Sequence, residues 1–231
     1  MKYLKGMPRA ALAAALVLAV GLAGTIGTAN AGTITHLTIW HAATGGDIIT
    51  SPRQQALPSN PIATGAFIAD GAATGDMNFP GTGSSGDNTI GGFLATQVGG
   101  GTNPCSGACA TTVISLGSFD SVTLMRFTFQ VLVPTNESVV HDDGVSLFAA
   151  GDTTTNLFNP ADSAPTSSVS TETVLIAAGF YDLWYAESNG LPAVLVATET
   201  AVPVPEPATM FLGGLGLIAF GYAARRRLFG R

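Results

Sequence analysis

Positive charge is scarce in this 231-residue chain, which has nine Lys and Arg residues against 15 Asp and Glu. Between Arg9 and Arg225 the only basic residues are Arg53 and Arg126, whereas every acidic residue lies in that interval. Nucleic acid is therefore excluded as a predicted partner, because binding it requires Lys and Arg that neutralise phosphates. An acidic surface of this kind favours solubility outside the cell and offers carboxylates to divalent cations.

Cysteine is also rare, with only Cys105 and Cys109 in the chain. In an exported protein, two cysteines so close together predict a disulfide. Closing such a short loop contributes about 2 kcal/mol in the chain-entropy model, enough to fix a Gly-rich loop but not to hold a fold. Two cysteines with no histidine nearby make a poor zinc pattern.

The sequence contains no recognisable catalytic constellation. There is no Gly-x-Ser-x-Gly motif, and the only histidines are His36, His41 and His141. His36 and His41 are five residues apart on a strand-like stretch and face opposite sides, so they cannot share a metal without a bend in the strand. The adjacent carboxylates of Asp142 and Asp143 are expected to diverge rather than flank a glycosidic bond. We predict that the protein is not an enzyme; a secreted hydrolase using His141 with an acid is the least favoured alternative.

The N-terminal apolar run is too short for a permanent membrane helix. Basic residues precede an apolar stretch over 10–23, which has 14 residues, whereas a spanning helix needs roughly 20. Ala29 and Ala31 then place small residues at the positions that signal peptidase reads. This pattern predicts a signal peptide over residues 1–31, with a helical apolar segment, removed by signal peptidase during export.

A sustained helical period is missing from residues 32–201, where short β-branched and aromatic runs recur between clusters of turn residues. We therefore predict one exported all-β domain over 32–201, an antiparallel β-sandwich of jelly-roll type with Gly-rich loops. The clearest strand places Phe127 and Phe129 on one face and is ended by Pro134. The predicted strands are 34–40, 66–69, 89–96, 111–116, 122–133, 145–149, 173–177, 180–186 and 193–198.

The aromatic strand at 180–186 has two distinct faces. Its alternation puts Tyr181, Leu183 and Tyr185 together and predicts that they belong to the core. Trp184 lies on the other face beside acidic residues, where it could stack on a sugar ring. A strand buried on both faces would explain Trp184 equally well.

The segment Asp142-Asp143-Gly144 permits two interpretations. An Asp-Gly pair at a hairpin turn is explained by geometry alone, because glycine accepts the positive φ that such turns need. Two neighbouring carboxylates surrounded by backbone carbonyls are also what calcium uses. The spacing favours the turn.

This segment, with "AAGFYDLWYAESNGLPAVLVAT" downstream, resembles the protective-antigen-type β-sandwich domain of bacterial toxins, secreted glycosidases and fungal flocculins. The resemblance covers residues 121–198. In sugar-binding members two consecutive aspartates hold a calcium ion that also binds sugar hydroxyls, so the resemblance implies that role for Asp142 and Asp143. The sequence departs from the family at 135–141, where a fuller aromatic strand is usual, and in its N-terminal half. A calcium-dependent carbohydrate-binding module, with extracellular polysaccharide as its partner, is the resulting alternative function.

The C-terminal segment, 202–231, combines a proline motif, a short apolar span and a basic end. The span at 210–224 has 15 uncharged residues, about 22 Å as a helix, against an apolar bilayer thickness of about 30 Å. The arginines that follow would stay on the cytoplasmic side. The motif consists of Val204, Pro205, Glu206, Pro207, Ala208 and Thr209, and the basic tail at 225–231 begins with Arg225, Arg226 and Arg227.

This order of motif, transmembrane span and basic tail resembles the PEP-CTERM sorting signal of exported bacterial proteins. The resemblance implies that an exosortase, a membrane-embedded cysteine protease, recognises the tail and cleaves near the Pro-Glu-Pro. It also implies export across the inner membrane of a Gram-negative bacterium, transient membrane anchoring, and delivery to the cell surface or the extracellular matrix. An ordinary single-span anchor is the alternative. The first functional hypothesis is therefore a non-enzymatic structural or adhesive surface protein.

Overall fold

The computed structural model describes residues 32–202 except 82, 84–87 and 167. Within these residues the chain forms two antiparallel sheets packed face to face, so the predicted all-β sandwich is confirmed. No helix in this part of the chain has the length and apolar character needed to cross a membrane. The predicted signal peptide at 1–31 and nearly all of the predicted sorting signal, including the span at 210–224, lie outside the described residues.

The sandwich consists of a five-stranded sheet, in the order β2-β1-β4-β8-β6, and a four-stranded sheet, in the order β3-β9-β5-β7. Three 3₁₀ turns and two short helices lie in the loops. The strands are β1 Thr33–Ala43, β2 Ala69–Ala72, β3 Asn78–Phe79, β4 Ser121–Val131, β5 Thr135–Asp142, β6 Gly144–Ala149, β7 Ser170–Ile176, β8 Gly179–Glu187 and β9 Val194–Ala201. The helices are α1 Ile90–Ala95 and α2 Ala108–Thr111, and the 3₁₀ turns are Pro52–Gln54, Pro61–Thr64 and Pro160–Ser163.

The main core lies between the two sheets. Phe127 and Phe129 of β4 face it, as their alternation predicts, although β4 ends at Val131 rather than at Val133. The predicted core face of β8 is also confirmed, since Tyr181, Leu183 and Tyr185 are all buried in this cluster. Aromatic rings from α1 and β3 complete the packing: Phe93 stacks on Phe79 at 5.2 Å and on Tyr185 at 5.7 Å.

A second, smaller core covers the outer face of the five-stranded sheet. Trp40 of β1 and Trp184 of β8 lie there with Leu124 and Phe148, under apolar side chains from the loop that carries the first two 3₁₀ turns. Trp184 is only 6% exposed. The strand is therefore buried on both faces, and the interpretation of Trp184 as an exposed sugar-stacking ring is wrong.

Two predicted strands in the Gly-rich region take other conformations. The stretch 89–96 contains helix α1, which begins where the Thr89 side chain accepts the N–H of Gly92 at 3.0 Å. Ile90, Phe93 and Leu94 are buried on one side of α1, a helical spacing that the surrounding glycines obscure. The stretch 111–116 starts at the end of α2 and makes only one isolated bridge, between Thr89 and Val113, within the described residues.

Strand β5 is absent from the sequence prediction, although it lies in the middle of the four-stranded sheet between β7 and β9. Its inward-facing positions are buried, but three of the four are polar: Thr135, Glu137 and His141, with Val139 between them. The alternation that identifies a half-buried strand depends on apolar inward residues. A polar inner face therefore concealed this strand.

The predicted disulfide is present. Cys105 and Cys109 are bonded, with their Cα atoms 5.3 Å apart, at the beginning of α2. Cys109 is buried and Cys105 packs against the main core. The bond therefore fixes the end of the Gly-rich region to the sandwich.

Candidate functional site

The two aspartates lie where the chain passes from one sheet to the other. Asp142 ends β5 in the four-stranded sheet and Gly144 begins β6 in the five-stranded sheet, so Asp143 is the single residue between them. The prediction of a hairpin turn here is wrong, because β5 and β6 do not pair with each other. The acidic pair therefore occupies a junction between the sheets.

Gly144 is required by close packing rather than by turn geometry. Its φ is not positive, contrary to the prediction. A Cβ at this position would lie 2.3 Å from the carbonyl oxygen of Ser163. That carbonyl ends the third 3₁₀ turn and also accepts the N–H of Ala56 at 2.8 Å. The absence of a side chain lets the polar loop after β6 lie directly against the aspartates.

Asp143 is fully buried, and only one of its two carboxylate oxygens accepts hydrogen bonds. Its Oδ2 accepts the backbone N–H groups of Ser188, at 2.8 Å, and Asn189, at 2.9 Å, just after β8 ends. Its Oδ1 is buried and has no hydrogen-bond partner among the described residues. Burial raises the pKa of Asp143 to about 7, although the two amide bonds oppose this rise.

The carboxyl group of Asp142 is close enough to that of Asp143 for each to affect the pKa of the other. Asp142 also accepts a long contact, 3.5 Å, from the hydroxyl of Thr166. Burial raises the pKa of Asp142 as well. Two neighbouring buried carboxyls favour a shared proton or a bound cation.

A further carboxyl group lies behind the pair. The hydroxyl of Tyr185 contacts the backbone carbonyl of Asp142 and lies 2.9 Å from Oε2 of Glu187. Glu187 is fully buried, and its Oε1 has no partner in the described part of the chain. Burial, followed by the negative charge of Asp143, raises the pKa of Glu187 and favours its protonated form. Nothing in the sequence distinguished Glu187 from a surface acid.

His141 contributes to the scaffold of this junction. Its Nδ1 lies 2.5 Å from the backbone carbonyl oxygen of Asp143, and because a carbonyl only accepts, Nδ1 carries the proton. The imidazole is fully buried, and burial lowers its pKa. A substrate has no access to this ring. His36 instead contacts Asp70, and His41 contacts Thr123, both at 3.0 Å, so these two histidines do not meet.

The capacity of the junction for a metal is limited to two carboxylates. Among the residues that the structure describes, no three His, Cys, Asp or Glu side chains form a group that could hold an ion. Calcium takes six to eight oxygen ligands. Asp142 and Asp143 could supply the carboxylate oxygens, whereas backbone carbonyls, water or ligand hydroxyls would have to supply the rest.

A cavity of about 730 Å³ adjoins the junction on the side of the polar loop. Ser163, which touches Gly144, is part of its wall. The described residues that line it carry hydroxyl, amide and apolar groups and no charge. They include Gln55, Ser59, Phe148, Thr154, Asn156 and Ser163.

Comparison with known proteins identifies the C-terminal segment. Residues 203–227 match the family described as the PEP-CTERM protein-sorting motif, which confirms the predicted sorting signal. No curated protein sequence matches the chain.

Two solved structures are similar to the chain at low identity. One is the PA14 sugar-binding domain from an RTX adhesin, with 14% identity, a TM-score of 0.41, and coverage of 73% of this chain and 87% of that one. The other is the PA14 domain of the antifreeze protein MpAFP, with 15% identity, a TM-score of 0.38, and coverage of 74% and 84%.

Proposed function

We propose that the protein is exported, sorted through its tail by an exosortase, and acts at the cell surface or in the extracellular matrix as a non-enzymatic structural or adhesive protein. The PEP-CTERM motif at 203–227 carries this proposal. The basic residues at both ends support it, because each cluster is expected to stay on the cytoplasmic side and leave the acidic middle outside. The burial of His141 supports a non-enzymatic role, since that ring cannot contact a substrate.

The sorting step is tested by mass spectrometry of the mature protein from the surface fraction of its host. We expect a chain that begins at Gly32 and ends near Pro205, Glu206 and Pro207, without the terminal peptide. A chain with Arg225, Arg226 and Arg227 replaced by Gln should keep its tail, because it lacks the basic stop. Recovery of intact Arg231 from the wild-type surface fraction would favour a permanent anchor instead.

Calcium-dependent carbohydrate binding is the second candidate function. The observation that favours it is Oδ1 of Asp143, a buried acceptor that has no partner among the described residues and lies near a second carboxyl, that of Asp142. These two residues would hold the ion, and a bound calcium would supply open positions for sugar hydroxyls. The adjoining uncharged cavity supports a neutral, hydroxyl-rich ligand over a charged one.

A calcium titration of the melting temperature tests this second function. Calcium should raise the melting temperature of the wild type but not that of the Asp142→Asn, Asp143→Asn double variant, which keeps the shape of both side chains. Asp120→Asn, at an exposed acid outside the junction, is the matched control and should respond like the wild type. Equal responses of all three would exclude the site. Binding to a glycan array with calcium and with a chelator then tests for the sugar.

A further inference from the structure

Two glutamates face each other at the end of the sandwich where the described chain begins. Glu137 of β5 and Glu199 of β9 are directly opposed in the antiparallel ladder, so their side chains share a face with Cβ atoms about 5 Å apart. Glu137 is fully buried. Like charges at such a position are destabilising unless a proton or a cation offsets them.

The hydrogen-bonding capacity of this pair is largely unused. Three buried carboxylate oxygens, Oε1 and Oε2 of Glu137 and Oε1 of Glu199, have no donor among the described residues. Burial and the charge of Glu199 raise the pKa of Glu137 to about 8, and burial raises the pKa of Glu199 to about 7. Asp76, which bridges to Thr33, also acts on Glu199 and adds further negative charge.

Neither of the two arginines in the described part of the chain compensates these acids. Arg126 lies on the outer face of the five-stranded sheet, over the rings of Trp40 and Trp184, and Arg53 lies in the first 3₁₀ turn. Within the described residues, the one salt bridge joins His36 to Asp70. The only described donor at the pair is the backbone N–H of Gly32, which binds the Glu199 carboxylate.

Gly32 is closely packed at that point. It is buried, and a Cβ at this position would lie 2.4 Å from a ring carbon of Phe129 and 2.5 Å from Oε1 of Glu199. The next residue, Thr33, pairs with Gln130 on one side and with Asp76 on the other. The facing ring of Tyr181 packs on Phe129 with the ring centroids 5.9 Å apart. Its hydroxyl donates to the carbonyl oxygen of Ala177 and therefore does not donate to the two glutamates.

Gly32 is also the residue that follows the predicted signal-peptide cleavage after Ala31. Cleavage there converts an amide nitrogen with one N–H into an α-ammonium group with three donors and a positive charge. We propose that this new N-terminus docks between Glu199 and Glu137 as an ion pair, so that removal of the signal peptide completes this end of the sandwich. The inference rests on the export step of the proposed function but not on sorting through the tail.

The order of events follows from the packing. In the folded domain Gly32 is buried beside Phe129 and Glu199. We expect signal peptidase to act before Gly32 packs in this way. A precursor that folds with its signal peptide attached has only the amide donor for these acids and is less stable than the mature chain.

The test uses an unusual property of the mature sequence: the only lysines are Lys2 and Lys5, so the chain from Gly32 onward has a single amine, its own N-terminus. Mature protein from the host is first identified by mass spectrometry. It is then treated at pH 7 with an acetylating active ester, either folded or unfolded in urea. We expect acetylation of the folded protein to be slower by about tenfold or more, because each unit of rise in the pKa of the amine lowers its reactive free base tenfold.

Two variants separate an ion pair from simple burial of the amine. Glu199→Gln should bring acetylation of the folded protein to within about threefold of the unfolded rate, whereas Asp120→Asn should remain as slow as the wild type. Protein acetylated while unfolded and then refolded should melt about 2–4 °C or more below the free-amine form, and Glu199→Gln should abolish that difference. Equal rates in folded and unfolded wild type, or a slow rate in Glu199→Gln, would overturn the inference alone. A mature chain that keeps Met1 would overturn both it and the export step.

Discussion

The indole rings of Trp40 and Trp184 stack with their centroids 5.5 Å apart and an interplanar angle of 12°, and Arg126 lies over both of them. The guanidinium is 5.9 Å from one ring and 5.8 Å from the other, and it donates to the hydroxyl of Thr38 at 3.0 Å. Arg126, one of the two arginines between Arg9 and Arg225, thus packs on the second, smaller core. Trp184 therefore packs in the smaller core and stabilises the five-stranded sheet.

We expect Trp184→Ala to lower the free energy of unfolding by about 3–5 kcal/mol, because it empties a buried aromatic site. Trp184→Phe, the matched control, keeps most of the apolar contact and should lose less. The chain has only two tryptophans, so near-ultraviolet circular dichroism reports this pair directly. Both variants should lose the signal of the stacked indoles, while urea denaturation measures stability. Equal stability of Trp184→Ala and the wild type would contradict the second core.

Arg126→Lys tests the contact of the guanidinium with the two rings. A lysine keeps the positive charge but loses the planar group and its bond to Thr38, so the variant should be about 1 kcal/mol less stable. Arg53→Lys is the control, since the guanidinium that lies over the two tryptophan rings is that of Arg126 and not that of Arg53, and it should change stability little. Urea denaturation of the two variants under the same salt conditions provides the comparison. A larger loss for Arg53→Lys would argue against the stacking role.

Gly144→Ala should destabilise the protein by about 2 kcal/mol or more, because the added carbon meets the Ser163 carbonyl at 2.3 Å and pushes the polar loop from the aspartates. Gly179→Ala is a matched control at the start of β8. Its added carbon would lie no closer than 3.6 Å to any neighbour, and its φ is not positive. That control should be neutral or slightly stabilising. Thermal unfolding of the two variants provides the comparison. Similar melting temperatures would show that the polar loop moves to accommodate the added carbon without a loss of stability.

The sandwich could be predicted from the sequence because β4 and β8 carry apolar residues at every second position, such as Phe127 and Phe129. Strand β5 and helix α1 could not. The first has Glu137 and His141 on its inner face, and the second has only six residues, two of them glycine. Both depend on tertiary contacts that local pattern does not contain.

The candidate site was identified from the sequence only as a pair of residues. Asp142 and Asp143 could be named, but their position between two sheets depends on where β5 ends, and the sequence pattern did not contain that strand. The same omission concealed Glu187 and the opposed pair of Glu137 and Glu199, because cross-strand register is set by the whole sheet. By contrast, the sorting motif is local in sequence and was recognised in full.

The pH dependence of stability should reveal Glu137. Its pKa in the fold, about 8, lies above its ordinary value of 4.5, because burial and the charge of Glu199 oppose ionisation. A raised carboxyl pKa means that the folded state holds the proton more tightly. Its contribution to stability is therefore fully present below pH 4.5 and is lost as the pH rises through about 8. Glu137→Gln removes this dependence, since the amide does not titrate.

We expect Glu137→Gln and the wild type to differ little near pH 4.5, and the variant to be more stable by about 1 kcal/mol or more at pH 8.5. Urea denaturation at both pH values measures this, with exposed Asp120→Asn as the control that should follow the wild type. Burial lowers the pKa of His141, so its protonation destabilises the fold below pH 6.5. Because His141 is present in every variant, this effect cancels in the comparison. The gain at pH 8.5 should be larger in protein acetylated at Gly32, where no ammonium group offsets the two glutamates. A variant that is less stable than the wild type at pH 8.5 in both the free-amine and the acetylated protein would contradict the raised pKa of Glu137.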